Sequence, residues 1–248
     1  MAGKQIGITT PDGKARAGLF EPAASSSGAG IILYMDAFGP RPALDRMAER
    51  LAGEGFFVLV PDLYYRQGDY GGPFDAKTAF SNEETATLIR RMMAETTQAM
   101  TQADTGAFLD ALAAHGAAGP AGTVGYCMGG ARALNAAAAH PDRIAAAASI
   151  HGGNLASDAP DSPHRQAEKI KARVYVGCAG VDKSFSPEQS ARLAQALREA
   201  EIDHAIENYV GVEHGWAVPD HRVYDEAGAE RHWARLKTFF GETLRPAG

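Results

Sequence analysis

One cysteine lies in a setting that could make it a nucleophile. Cys127 is the centre of Gly125-Tyr126-Cys127-Met128-Gly129, which follows a β-like run at Ala121–Val124 and precedes an Ala-rich helical run. A strand, a Gly-x-nucleophile-x-Gly turn and a helix form the pattern of a nucleophile elbow. The two glycines leave room for a sharp turn in which the nucleophile takes strained backbone angles. This pattern predicts acyl-transfer chemistry by a thiolate.

The helix after Cys127 would favour the reactive form of the thiol. A helix N-terminus carries unpaired N–H groups and a dipole that stabilise negative charge. The Met128 N–H would also point at an oxyanion forming in front of the sulfur, and one such donor lowers a barrier by roughly 3–4 kcal/mol. The alternative is a buried, unreactive cysteine in a tight turn, and the motif alone does not decide between the two.

A thiolate nucleophile needs a base and a group that orients the base. Among eight histidines, His214 lies in a Gly-flanked loop after a predicted strand, at the same sheet edge as Cys127. Asp182 follows an earlier strand, which gives the order nucleophile, acid, base, although by itself it could be a turn or cap residue. Asp203 is the runner-up acid, but it precedes its strand. The histidines interpreted as lying on solvated faces or at strand ends include His204, His221 and His232.

A second oxyanion donor is expected from the loop after the strand Ile31–Met35. The Ala37 N–H is the candidate, together with that of Met128. Asp36 would then lie beside Cys127, where a carboxylate would raise the thiol pKa and hold it neutral until substrate binds. The alternative for Asp36 is capping of the following helix.

Three further residues are candidates for pocket walls. His151 follows the predicted strand Ile144–Ile150 at the active edge, and Tyr64 and Trp216 lie in loops. The alternatives are a loop histidine satisfied by the backbone and aromatic side chains that only pack. Cys178, at the end of a strand, is interpreted as buried and unreactive.

Strand-like and helical runs alternate along the chain. Strands are expected at 5–9, 15–21, 31–35, 56–60, 121–124, 144–150, 173–178 and 204–210, and helices at 42–53, 83–115 with a bend near Gly106, 128–140, 187–200 and 224–244. This order implies an α/β fold with a mostly parallel central sheet and helices on both faces. The length favours one domain over residues 1–248. Ligands of such sheets bind at the carboxyl ends of the strands.

Composition excludes several classes of function. A net charge of −6 argues against nucleic-acid partners and anionic membrane surfaces. No apolar run approaches the roughly 20 residues that span a bilayer, and no signal peptide is recognised. Two cysteines form neither a disulfide framework nor a metal-ligand pattern. A cytoplasmic protein, in which a lone reactive thiol would stay reduced, is therefore expected.

These motifs resemble those of the dienelactone hydrolase family of α/β-hydrolases. The resemblance spans about Gln5 to Phe240, and the segments that carry it are Tyr34–Gly39, Val60–Tyr64, Gly125–Gly130 and Glu213–Trp216. It implies the α/β-hydrolase fold, no metal or cofactor, and hydrolysis of a small ester or lactone through a thioester. Carried over by position, it implies a triad of Cys127, Asp182 and His214.

The chain departs from the family pattern at two positions. Members that act on dienelactone have Glu at the position of Asp36, where Asp is one methylene shorter. They also have Arg four residues after the catalytic His, where this chain has Val218. The candidate replacements for that Arg are Arg41, Arg46, Arg90 and Arg91. The apolar Val218 favours a neutral or differently shaped acyl substrate.

Other functions stay open on the same fold. The same triad could hydrolyse thioesters or peptide esters. A non-catalytic protein could keep the pocket for a small ligand, and a redox-sensing protein would form a sulfenic acid at Cys127. The sequence specifies neither the natural substrate nor the oligomeric state.

Overall fold

A computed structural model describes residues 3–23 and 28–245. Eight strands form one sheet in the order β1-β2-β4-β3-β5-β6-β7-β8. The strands are β1 (Lys4–Thr10), β2 (Gly13–Phe20), β3 (Gly30–Tyr34), β4 (Phe57–Pro61), β5 (Ala121–Tyr126), β6 (Ile144–Ile150), β7 (Arg173–Val181) and β8 (His204–Glu213). The α-helices are α1 (Pro42–Gly53), α2 (Glu83–Glu95), α3 (Gln98–Ala114), α4 (Met128–Ala139), α5 (Pro187–Glu199) and α6 (Glu226–Leu244).

The sheet is mostly parallel, as predicted. β1 and β2 pair antiparallel, β2 pairs antiparallel with β4, and the strands from β4 to β8 run parallel to one another. Every residue of β3 and β5 is buried. Central strands buried on both faces require helices on both faces. α1 and α6 contact each other through an ion pair between Arg50 and Glu230, and α3 packs against α4.

The helical region expected over residues 83–115 is divided at a different position from the one predicted. The break lies at Thr96 and Thr97, between α2 and α3, and Gly106 is inside α3. The Thr97 side chain accepts a hydrogen bond of 3.2 Å from the Met100 N–H and so caps α3. A threonine that satisfies an unpaired N–H favours a helix start at this position. A single glycine inside a helix has a modest cost and does not have to bend it. The predicted bend near Gly106 is therefore wrong.

The turn around Cys127 has the sharp geometry that the motif predicts. Cys127 has a φ of 55° and a ψ of −118°, a region that residues other than glycine rarely occupy. A Cβ on Gly125 would lie 1.8 Å from the Gly129 carbonyl oxygen, and one on Gly129 would lie 2.4 Å from that of Tyr34. Both glycines are therefore required for β5, β3 and α4 to approach so closely.

Within the part of the chain that the structure describes, none of the helices combines the length and apolar character that crossing a membrane requires.

Candidate active site

Three parallel strands bring the predicted triad residues to one edge of the sheet. Each triad residue comes directly after the end of a strand: Cys127 after β5, Asp182 after β7 and His214 after β8. The His214 Nδ1 lies 2.7 Å from the Asp182 Oδ2. Cys127 and His214 both line a cavity of about 360 Å³. A potential nucleophile, an imidazole and a carboxylate thus lie in the order that nucleophilic catalysis requires.

The Asp182 carboxylate is held by a residue that sequence reasoning missed. Ser184 donates from its backbone N–H (2.8 Å) and from its hydroxyl (2.6 Å) to the Asp182 Oδ1. Burial raises the pKa of Asp182, but the hydrogen bonds from His214 and Ser184 outweigh it and lower the pKa below its usual value. Asp182 therefore stays ionised next to the imidazole. The Asp-x-Ser spacing, typical of a side-chain turn, is the signal that could have identified Ser184.

The His214 imidazole is strongly basic in this site. Burial lowers its pKa, but the Cys127 sulfur and the Asp182 carboxylate outweigh burial and raise the pKa to about 10. The imidazole can therefore take a proton from a neighbouring group and hold it at neutral pH.

Ala37 and Met128, the two candidate oxyanion donors, are linked by Tyr64. Met128 is the first residue of α4 and lines the cavity. The Tyr64 hydroxyl donates to the Ala37 carbonyl at 3.1 Å and contacts the Met128 sulfur at 3.7 Å. Tyr64 itself is fully buried and does not line the cavity. It connects the Ala37 backbone to the Met128 side chain, and the oxyanion role of the two N–H groups stays a prediction.

His151 and Trp216, the other candidates for pocket walls, lie behind the site and do not line this cavity. His151 is buried, and its Nδ1 accepts the Cys127 backbone N–H at 3.1 Å. The proton of the neutral ring is therefore on Nε2. Its ring packs 5.1 Å from that of His214. Trp216 is buried and stacks on Tyr209 with ring centroids 4.3 Å apart. Both side chains support the loops that carry Cys127 and His214.

The Asp36 carboxylate belongs to a buried network of charges. Arg41 donates two hydrogen bonds to Asp36, of 2.7 and 2.8 Å, and the His221 Nε2 lies 2.9 Å from the same carboxylate. Arg41 also donates to Asp220 at 2.6 and 2.8 Å. Burial raises the pKa of Asp36, but His221 and Arg41 lower it overall. None of these hydrogen bonds involves Cys127, and an effect of Asp36 on the thiol stays a prediction.

Two expectations about this region are wrong. His221 and His232 were expected on solvated faces, yet both are buried. His221 faces Asp36, and the His232 Nε2 lies 3.2 Å from the Tyr126 hydroxyl. Arg41 was a candidate to bind a substrate acid, but its guanidinium forms ion pairs with Asp36 and Asp220. It also does not line the cavity.

The cavity contains a cation that sequence reasoning overlooked. Arg132 lines it together with Cys127 and His214, whereas Arg46, Arg90 and Arg91 do not. Arg132 is the single charged residue in the small and apolar sequence of α4, and that contrast is the signal that could have identified it. Within residues 3–23 and 28–245, no group of three or more His, Cys, Asp or Glu side chains is arranged to hold a metal ion.

A family model and a curated relative both assign this chain to the same family. A model of the dienelactone hydrolase family matches residues 15–244. The carboxymethylenebutenolidase of Rhodococcus opacus is 29% identical over 230 residues, which cover 90% of this chain and 85% of that protein.

Solved structures agree with the fold. A dienelactone hydrolase-like promiscuous phosphotriesterase from metagenomic libraries has a TM-score of 0.78 at 23% identity, covering 98% of this chain and 100% of that one. The dienelactone hydrolase from Anabaena variabilis ATCC 29413 has a TM-score of 0.66 at 18% identity, covering 99% of this chain and 100% of that one. The fold is that of the α/β-hydrolases, as the sequence predicts.

Proposed function

The chain belongs to the dienelactone hydrolase family, and we propose that it is a cysteine-dependent hydrolase of small esters or lactones. The triad is Cys127, Asp182 and His214, and the intermediate is a thioester. One observation carries the proposal. Cys127, which has a φ of 55° at a helix N-terminus, lines the same cavity as His214. The His214 Nδ1 lies 2.7 Å from the buried Asp182 carboxylate.

In the first half of the reaction, His214 takes the proton of Cys127 and the thiolate attacks the carbonyl carbon. A C–S bond forms, and the carbonyl electron pair moves to oxygen, where the N–H groups of Ala37 and Met128 stabilise the charge. The intermediate then collapses and the C–O bond of the ester or lactone breaks. His214 donates its proton to the departing oxygen, and Asp182 stabilises the imidazolium throughout.

In the second half, a water molecule attacks the thioester. His214, now neutral, takes one proton from the water, and a second tetrahedral oxyanion forms against the same two N–H groups. Its collapse breaks the C–S bond and releases the acid. The proton returns from His214 to the sulfur, which restores the starting state of the enzyme.

The experiment that tests the proposed function is capture of the thioester. Wild-type protein mixed with p-nitrophenyl acetate and quenched in acid should gain the mass of one acetyl group. After digestion, the peptide that contains Cys127 should carry the group and the one that contains Cys178 should not, because Cys178 is buried elsewhere. Hydroxylamine should remove it. Ester hydrolysis with no adduct on the Cys127 peptide would contradict the thioester mechanism.

The pH dependence of the reaction should report the His214–Asp182 contact. The leaving oxygen needs a proton from His214, so kcat/KM should fall as pH rises through about 10, the pKa of that imidazole. Asp182→Asn removes a contribution that raises this pKa, so the alkaline fall should move to lower pH. The measurement is kcat/KM from about pH 6 to 11.

Asp203→Asn is the matched control for this pH profile. Asp203 is an exposed carboxylate that pairs with Arg173 at the start of β7, the strand end opposite to Asp182. We expect its substitution to leave the alkaline fall in place. An unchanged alkaline fall in Asp182→Asn would show that Asp182 does not set the basicity of His214.

A further inference from the structure

The buried His151 side chain forms one hydrogen bond, and its partner is the backbone of the proposed nucleophile. The His151 Nδ1 accepts the Cys127 N–H at 3.1 Å. The Nε2 of the same ring is buried and has no hydrogen-bond partner among the described residues. Burying an unpartnered polar atom costs free energy that an apolar side chain of similar size would not cost. The imidazole therefore points to a role at Cys127 and not to one in stability.

The contact with His151 is one of three hydrogen bonds that fix the backbone of Cys127. The Cys127 N–H also lies 3.2 Å from the Ile150 carbonyl, and the Cys127 carbonyl accepts the Gly130 N–H at 3.0 Å. The peptide groups on both sides of Cys127 are thus held. A strained conformation persists only where its surroundings hold it in this way. Because the bond to Ile150 does not need the imidazole, His151 adjusts the turn and is not required to form it.

His151 is itself in a strained conformation, with a φ of 39°. Among the described residues, positive φ values outside glycine occur at Cys127, His151, Asn154 and Glu201. Two of these positions are therefore the two ends of a single hydrogen bond. The His151 N–H donates to the Gly177 carbonyl at 2.8 Å, which anchors the residue to β7. Strained backbone at both ends of a bond to a nucleophile indicates a functional arrangement.

The imidazole of His151 is neutral, although it lies beside His214. Burial lowers the pKa of His151 well below its usual value, and positive charge on His214, His221 and His232 lowers it further. A neutral ring can accept a hydrogen bond at Nδ1, whereas a protonated ring cannot. The ring centroids of His151 and His214 are 5.1 Å apart. Because His151 is neutral, it does not repel the imidazolium that His214 becomes in the proposed reaction.

We propose that His151 is a positioning residue, which holds the Cys127 backbone so that the sulfur stays beside His214 and in line with the substrate carbonyl. The inference rests on the proposed hydrolase function and adds a residue that serves its nucleophile. His151 does not line the cavity, so it acts through Cys127 and not on the substrate. Misplacing reacting atoms by about 1 Å can lower a rate by about 100-fold. The role should therefore appear in the rate of attack by the sulfur, while substrate affinity changes little.

Three substitutions of His151 separate the hydrogen-bond acceptor from the backbone conformation. His151→Asn keeps an oxygen at the position of Nδ1 and tolerates a positive φ. His151→Gly tolerates a positive φ but has no acceptor, and His151→Leu has the shape of Asn without its polar atoms. The measurement is the acylation rate constant, followed in stopped flow as release of p-nitrophenolate from saturating p-nitrophenyl acetate. It should fall about 10- to 100-fold in His151→Gly and His151→Leu. His151→Asn should restore most of it, and the half-saturating ester concentration should change little in all three.

Alkylation of the thiol keeps this inference distinct from the proposed function. Iodoacetamide reacts with the thiolate, so its rate of reaction at the Cys127 peptide should fall in His151→Gly and recover in His151→Asn, even if no ester is hydrolysed. Acylation rates equal to wild type in His151→Gly and His151→Leu, with hydrolysis that still needs Cys127, would overturn the inference alone. Equal rates in His151→Gly and His151→Asn would show that the acceptor has no role, which also overturns it. If His151→Leu does not fold, this last comparison still decides.

Discussion

Cys127→Ala should lower kcat for p-nitrophenyl esters and for dienelactone by about 10⁴-fold or more. Removing the nucleophile of a triad leaves only the contribution of oxyanion donors and substrate binding. The Met128 N–H and the cavity stay in place in this variant, because the Cys127 side chain accepts no hydrogen bond that holds the turn. The loss should therefore appear in kcat, while KM changes little. Steady-state kinetics on both proteins is the measurement.

Cys178→Ala is the matched control for the same chemical change. Cys178 is buried, and burial raises the pKa of its thiol to about 11, which keeps it neutral. It lies outside the cavity that contains Cys127 and His214. We expect activity within about twofold of wild type, as for substitutions away from a site.

Each other outcome of this comparison has a definite meaning. Equal activity of wild type and Cys127→Ala would show that the thiol is not the nucleophile. Equal inactivity on every ester and lactone, with ligand binding retained, would favour a non-catalytic binding protein. Sulfenic acid at Cys127 under mild peroxide, without turnover of any ester, would favour a redox sensor.

Asp36→Asn should lower the free energy of unfolding by about 3–5 kcal/mol. Asp36 is fully buried and receives three hydrogen bonds from Arg41 and His221. Without the Asp36 charge, the buried Arg41 guanidinium keeps only one of its two carboxylate partners, Asp220. Removing one partner of a buried ion pair costs about 3–5 kcal/mol. For a chain of this length, the melting temperature should fall by roughly 6–20 °C. Urea and thermal unfolding are the measurements.

The size of this effect should depend on pH in a defined direction. The pKa of Asp36 is lowered in the folded state, so its contribution to stability is present above the pKa of the unfolded chain. That contribution is lost as pH falls through the lowered pKa. The difference between wild type and Asp36→Asn should therefore be largest near neutral pH and shrink in acid.

Glu230→Gln is the control for Asp36→Asn. Glu230 also accepts two hydrogen bonds from one arginine, Arg50, but both side chains are about half exposed. Solvent screens such a pair, and its loss should cost at most about 1 kcal/mol. A loss below about 1 kcal/mol for Asp36→Asn as well would contradict the prediction and show that the Asp36 charge contributes little to stability.

The parts of the molecule that the sequence predicts well are those that depend on local chemistry. The turn around Cys127 needs small residues at fixed positions, so the motif and the observed φ of 55° agree. The start of α5 is likewise local, because the Ser186 side chain accepts from the Gln189 N–H and so caps the helix expected at 187–200. Asp182 and His214 follow from strand order, because parallel strands bring their carboxyl ends to one edge.

The parts that the sequence does not predict depend on contacts between distant residues. His221 and Asp220 follow the last strand, and only the folded chain brings them to Asp36 and Arg41. In the local sequence, His221 lies in a polar loop, which predicts an exposed side chain. Arg132 is similar, because a charge within an apolar helix indicates burial but does not identify its partner. Only the folded chain brings its Nη2 to the Thr96 carbonyl.

One feature of α4 has a consequence for how this enzyme can be adapted. Cys127 is the residue directly before α4, and Met128, the first residue of that helix, carries a candidate oxyanion donor. One rigid element therefore positions both the sulfur and that N–H. The opposite walls come from the α2–α3 junction and the loop after β6. Directed evolution of those walls should reshape the preferred acyl group at little cost to turnover, whereas changes within α4 would alter rate and selectivity together.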